Sequence, residues 1–152
     1  FFMSKYSKGF TLIELIATMV IASILASSLI TGYRTYNEFL KVNKEILNMV
    51  NTLRQARDYC IEANENFYLS IDTGADTYTL EYKTDNNALN LPGQNDNVFT
   101  MPSFVDFTAS TGITDLKFNI LGEPSATETI TINTDERTIE IVYPTGYIYA
   151  HN

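Results

Sequence analysis

Glu14 is the residue that first demands a chemical explanation. It is the only charged side chain between Phe10 and Ile30, a run otherwise built from apolar residues with scattered Thr and Ser. A helix over 10–30 rises ~30 Å, about one hydrocarbon core. A carboxylate at that depth costs about 3 kcal/mol or more, so it marks a role. Other reactive residue types are sparse. The chain has one cysteine, Cys60, and one histidine, His151. A His/Cys zinc cluster and a Cys–His nucleophile pair are therefore not expected. Cys60 falls on the apolar side of a predicted helix and reads as a small buried hydrophobe. His151 reads as a solvated tail residue. The glycines are isolated, so there is no phosphate-cradling loop. Asp72 with Asp76, or Asp85 with Asp96, could offer oxygen ligands to calcium, but neither pair fits an EF-hand loop, and Asp is expected in turns anyway. No catalytic residue, cofactor or metal ligand is assigned, and the chain is not expected to be an enzyme.

The elements that must position Glu14 follow from hydropathy. Lys5 and Lys8 precede the apolar run, which favours a cytoplasmic N-terminus with the rest of the chain beyond the membrane. A cleaved secretory signal would offer small residues at Ala26, Ser27 and Ser28, but a carboxylate inside its apolar region argues against it. A plain signal anchor explains the length and leaves Glu14 unexplained. Met3 is a candidate start, and no function attaches to Phe1 and Phe2.

The residues Lys8-Gly9-Phe10-Thr11-Leu12-Ile13-Glu14-Leu15 resemble the processing site of type IV prepilins and type II secretion pseudopilins. The resemblance implies cleavage by prepilin peptidase between Gly9 and Phe10 and N-methylation of Phe10. The new amine then lies one helical turn from Glu14, which can neutralise it or the amine of a neighbouring subunit. Either charge buried alone is costly, whereas the pair is tolerable. The first helical turn also favours an acidic residue. Glu14 is thus expected to act in assembly. The implied location is the bacterial inner membrane, single-pass, with the C-terminal part outside the cytoplasm. The implied partners are the peptidase, other pilins or pseudopilins in a filament or tip complex, and secreted cargo.

Beyond the membrane segment, Tyr36, Phe39, Leu40, Ile46, Leu47, Val50, Leu53, Ala56 and Cys60 recur mostly at intervals of three and four, an amphipathic helix. Lys41/Glu45 and Arg54/Asp58 are candidate i,i+4 pairs. One long helix is expected over 11–63, with Gly32 as a soft spot and Asn64 as its stop. From Phe67 the period changes to two. Strands are expected at 67–71, 77–82, 98–101, 105–108, 115–120, 129–133, 138–143 and 147–150. A long loop is expected at 84–97, and turns at Gly112, Gly122 with Pro124, Asp135 with Glu136, and Pro144 with Gly146. The predicted class is α+β, a long N-terminal helix packed on an antiparallel β domain. The expected organisation is a leader at 1–9, a membrane and filament-core helix at 10–31, its amphipathic continuation at 32–64, and the β domain at 65–152.

A second resemblance is finer. Leu53-Arg54-Gln55-Ala56-Arg57-Asp58 leading to Ala63-Asn64-Glu65-Asn66, then Leu116 to Pro124, and Arg137 to Gly146, are similar to segments of the GspH/FimT family of minor pilins and pseudopilins. That likeness implies two sheets against the helix. FimT-type members implicated in binding DNA for natural transformation carry a Gly-Arg-x-Arg closing segment. Here it reads Gly146-Tyr147-Ile148-Tyr149, with tyrosines for both arginines. Residues 61–152 hold three basic residues against fourteen acidic ones, which repels phosphate backbones. Tyrosines can stack on unpaired bases, so DNA capture remains the alternative to a role in secretion or pilus biogenesis.

Overall fold

The structure is a computed structural model and describes residues 9–82, 88–108, 113, 115–133 and 137–151. Its elements are α1 (Leu12–Ala63), β1 (Phe67–Asp72), β2 (Thr77–Tyr82), β3 (Val98–Thr100), β4 (Leu116–Phe118), β5 (Glu128–Ile132), β6 (Arg137–Val142) and β7 (Tyr147–His151). The chain forms two compact units, one ending at Leu40 and one beginning at Lys41.

In the first unit, the N-terminal part of α1 runs through Gly32 without interruption. It carries the apolar side chains of the 12–30 stretch outward, and it is long and apolar enough to cross a membrane. Ser and Thr inside it donate their hydroxyls to carbonyls three or four residues back, Thr18 to Leu15 and Ser23 to Met19 among them. Their polar atoms are thereby satisfied without water.

In the second unit, α1 ends in a Schellman turn. Asn64 takes φ 56°, its N–H donates to the Ile61 carbonyl, and the Glu65 N–H donates to the Cys60 carbonyl. Asn tolerates that left-handed conformation, which is why it stops the helix. The strands form two antiparallel sheets, ordered β3-β2-β1-β4 and β5-β6-β7. Alternation sets their faces: Phe67, Leu69 and Ile71 of β1, Leu80 of β2, Ile139 and Ile141 of β6 and Ile148 of β7 all join one core with Ile46, Met49, Leu53, Ala56 and Cys60 of α1. Phe67 and Phe118 stack in it at 4.4 Å. The structure is therefore α+β, one long helix with antiparallel strands in two sheets.

Several expectations need correction. Residues 105–108 form no strand; Phe107 makes a single bridge to Ile132. Within the expected apolar stripe, Tyr36, Phe39, Leu40 and Leu47 are exposed, while Val42 and Met49 are buried instead. Arg54 does not pair with Asp58; Arg57 does, at 2.8 Å. Glu45 accepts from Asn48 Nδ2. Most of the leader, Asp85, and the turns at Gly112 and at Asp135 with Glu136 lie outside the described residues.

Candidate functional site: the N-terminal turn and the fastening of the β unit

The first turn of α1 is a capping box. The Thr11 N–H donates to Glu14 Oε2 at 2.9 Å, and the Thr11 hydroxyl donates to the same oxygen at 2.8 Å. The Glu14 N–H donates back to Thr11 Oγ1 at 3.3 Å. Thr three residues before Glu is the sequence pattern for this motif, and it satisfies two of the otherwise orphan N–H groups of a helix start. Both Thr11 bonds fall on Oε2. Oε1 has no partner among the described residues. One carboxylate can thus hold the helix start with one oxygen and offer the other to a cation.

Gly9 and Phe10 stand just outside this turn and are exposed. A Cβ built on Gly9 meets nothing within 4 Å, and Gly9 is not among the residues with positive φ. Among the described residues nothing requires glycine there. Phe10 is 81% exposed, and no described residue covers the Gly9–Phe10 peptide bond.

Gly122 and Gly146 are the opposite case. Both are buried with positive φ, 77° and 63°. A Cβ on Gly122 would lie 2.6 Å from Ile61 Cδ1, and one on Gly146 would lie 2.0 Å from the Gly122 carbonyl oxygen. The turns before β5 and before β7 therefore close on α1 only as glycine. Two arginines fasten the same place. Arg57 Nη1 donates to the Gly146 carbonyl at 2.7 Å. Arg54 donates through Nε, at 3.0 Å, and through Nη2 to the Ile148 carbonyl, and its guanidinium lies 5.8 Å from the Tyr147 ring centre. The sequence offered Arg54 only as an i,i+4 partner of Asp58, because helix periodicity carries no information about a carbonyl ninety-four positions away.

The other candidate residues have local uses. Asp72 Oδ1 accepts from the Gly74 and Ala75 N–H groups, and Asp76 Oδ1 accepts from the Phe107 N–H at 3.0 Å. Asp96 is exposed. Cys60 is buried, and desolvation, with Glu65 nearby, pushes its thiol up to about 12. The Tyr149 hydroxyl donates to Glu140 Oε2 at 2.7 Å, and that bond pushes its pKa up. His151 Nε2 lies 3.4 Å from the same oxygen. The closing strand thus presents hydroxyl and imidazole to a carboxylate.

Residues 4–30 match the prokaryotic N-terminal methylation motif. No curated protein and no solved structure matches the chain. The motif implies processing by prepilin peptidase and assembly with other pilins, and the apolar helix that follows it fits a membrane-anchored subunit. The N-terminal segment thus carries a prepilin-type motif followed by an apolar helix, which supports a relation to the type IV pilins and pseudopilins.

Proposed function

We propose that the chain is a minor pseudopilin or minor pilin of the GspH/FimT kind, a structural subunit with no catalytic role, assembled into a type II secretion pseudopilus or a type IV pilus tip complex. Water hydrolyses the Gly9–Phe10 amide, leaving a carboxylate on Gly9 and an amine on Phe10. A methyl donor then alkylates that amine with loss of a proton. The subunit sits in the bacterial inner membrane as a single pass, its β unit outside the cytoplasm, until it enters the filament.

The observation that carries this reading is the Oε1 of Glu14, without a partner among the described residues, beside a capped helix start. The Phe10 amine begins the chain after cleavage, one turn from that oxygen. A neighbouring subunit's amine brought beside the helix in a bundle would find the same acceptor. The partner charge removes the cost of keeping the carboxylate in an apolar phase. An unneutralised Glu14 would oppose burial among helices, so the pair sets register as well as stability.

Glu14→Ala tests the assembly role in the native host: it is expected to insert in the membrane and be processed, yet enter filaments poorly. Normal incorporation would end this assignment. The system served is read from a clean deletion scored in parallel for exported proteins, surface pili and DNA uptake. Periplasmic accumulation of exoproteins with pili intact supports the secretion pseudopilus; intact secretion with lost piliation or transformation supports the pilus. The DNA-capture alternative draws no support from β7, where Glu140 holds the Tyr149 hydroxyl and the Ile148 carbonyl holds Arg54.

A further inference from the structure

The two sheets have four edges, and three of them carry a contact from outside the sheet among the described residues. At β4 the Ser125 N–H donates to the Lys117 carbonyl and Pro124 bridges Phe118. At β5 Phe107 bridges Ile132, and the Asn133 N–H reaches the Asp106 carbonyl. At β7 Arg54 occupies the outward Ile148 carbonyl. The fourth edge, β3, is different. Leu80 N–H donates to Asn97 O, and Met101 N–H donates to Asp76 O. With the Tyr78↔Phe99 register, these fix which backbone groups face β2. In an antiparallel ladder the alternate residues then turn outward. Val98 and Thr100 therefore point their N–H and C=O groups away from the sheet, without partners among the described residues. Both residues are exposed, and Val98-Phe99-Thr100 holds no charge and no proline to deter pairing.

A groove of about 540 Å³ runs beside this edge. Phe99 and Tyr78, stacked at 4.7 Å, are part of its lining. Asn48, Asn51 and Gln55 of α1 line it with hydrogen-bonding amides, and Gln94 adds a buried Oε1 that has no partner among the described residues. Such an acceptor in a native fold calls for a donor. Among the described residues the only charged lining residue is Glu45.

We propose that the open edge of β3 and its amide-lined groove receive an extended segment of a partner protein, carrying a lysine or arginine, as a fifth strand of the sheet. The outward N–H and C=O groups of Val98 and Thr100 supply the main-chain pairing. Side chains on one face of the added strand, alternating by two, meet the amides of α1 and Gln94. Glu45 selects a cation. The formal charge of −8 disfavours a second copy of this chain as the occupant.

The test is a titration of the full chain in detergent micelles, read by backbone amide NMR. The probe is a synthetic seven-residue peptide alternating threonine and valine with one central lysine. The expected result is shifts centred on the Val98 and Thr100 amides. Thr100→Pro, which removes an outward N–H and leaves the β2 pairing intact, is expected to weaken binding about tenfold or more. Backbone N-methylation of the peptide's edge-facing residues is expected to do the same without touching the protein, and it decides the matter should Thr100→Pro fail to fold. Replacing the peptide lysine by glutamate is expected to weaken binding about threefold, a difference Glu45→Gln erases. Unmoved Val98 and Thr100 amides, or an N-methylated peptide that binds as well as its parent, overturns the strand addition. Equal binding of the glutamate peptide overturns the cationic partner. A chain that is dimeric without peptide and becomes monomeric on Thr100→Pro assigns the edge to a second copy instead.

Discussion

Replacing Gly146 with alanine should unfasten the closing hairpin from the helix. The magnitude has three sources. The backbone at φ 63° is left-handed, which costs a non-glycine residue about 1–2 kcal/mol. The new Cβ would lie 2.0 Å from the Gly122 carbonyl oxygen, so one of the two turns must move. Overpacking of that kind costs about 1–3 kcal/mol. Moving the Gly146 carbonyl also lengthens its 2.7 Å bond from Arg57, a charged hydrogen bond of about 1.5–3 kcal/mol. The Gly122 turn cannot yield freely, because the space beside its Cα, where a Cβ would stand, is filled by Ile61 and Arg57 side chains. These effects overlap, so about 3–5 kcal/mol is expected, a fall in melting temperature of about 12–20 °C at ~4 °C per kcal/mol. The assay is thermal unfolding of the full chain in detergent micelles, followed by near-ultraviolet circular dichroism of the tyrosines. Gly9→Ala is the matched control: nothing stands within 4 Å of its Cβ, so it should melt with the wild type. The same variant, in the host, should accumulate uncleaved precursor. A Gly146→Ala protein melting within about 3 °C of wild type would refute the packing argument, since even the backbone strain alone should exceed that. Efficient processing of Gly9→Ala would refute the assignment of the cleavage position.

Three further outcomes follow from the same geometry. Cys60 is buried with its thiol pushed up to about 12, so it should resist alkylation at pH 8 in the folded chain and react on denaturation. The folded thiol keeps its proton across the window from pH 9, where an unfolded thiol loses it, to about 12, and stability should therefore fall with rising pH in that window; Cys60→Ser should flatten part of that fall in a pH series of urea melts. Arg54→Ala should lower stability by about 1.5–3 kcal/mol, because it strips the donor from the Ile148 carbonyl, while Arg54→Lys should recover only part, a point charge replacing a planar fork; chemical denaturation measures both. Thr11→Ala should lose the hydroxyl side of the capping box, costing the helix start about 1 kcal/mol, seen as faster amide exchange at residues 12–14 with the β unit's melt unchanged.

The strands were legible where alternation was strong. Phe67-Tyr68-Leu69-Ser70-Ile71 alternates in and out of the core and became β1, with the Asp72-to-Asp76 turn returning the chain as β2 in the register a hairpin requires. The stretch at 105–108 alternates too, with Val105 and Phe107 buried. It remains irregular because Asp106 and Asn133 are tied by side chain–backbone bonds, so a single bridge takes the place of a ladder. Helix periodicity misled in one respect: it assigned Leu47 and Leu40 to the buried stripe and left out Val42 and Met49. The pattern of threes and fours fixes a face only to within about one residue's rotation, and the sheets that choose the face are distant in sequence.

The candidate sites divide along the same line. Gly9, Phe10, Thr11 and Glu14 lie within six positions of one another inside the matched motif, so the role proposed for them is legible as a linear segment without a fold. Among the described residues nothing requires glycine at position 9, which fits the proposed recognition by a peptidase. Gly122 and Gly146 look no different in the sequence, two isolated turn glycines, yet each is required by an atom far along the chain: Ile61 Cδ1 for one and the other glycine's carbonyl for the other. Arg54 and Arg57 owe their roles to the same meeting of α1 with the last hairpin. Their recurrence as an Arg-x-x-Arg spacing was visible, and its purpose was not, because a pair three apart on a helix is equally suited to solvent. The open edge of β3 is the most deeply hidden of all. It is defined by which of two alternating backbone directions faces β2, and a shift of one residue in register would have turned Val98 and Thr100 inward and Phe99 out.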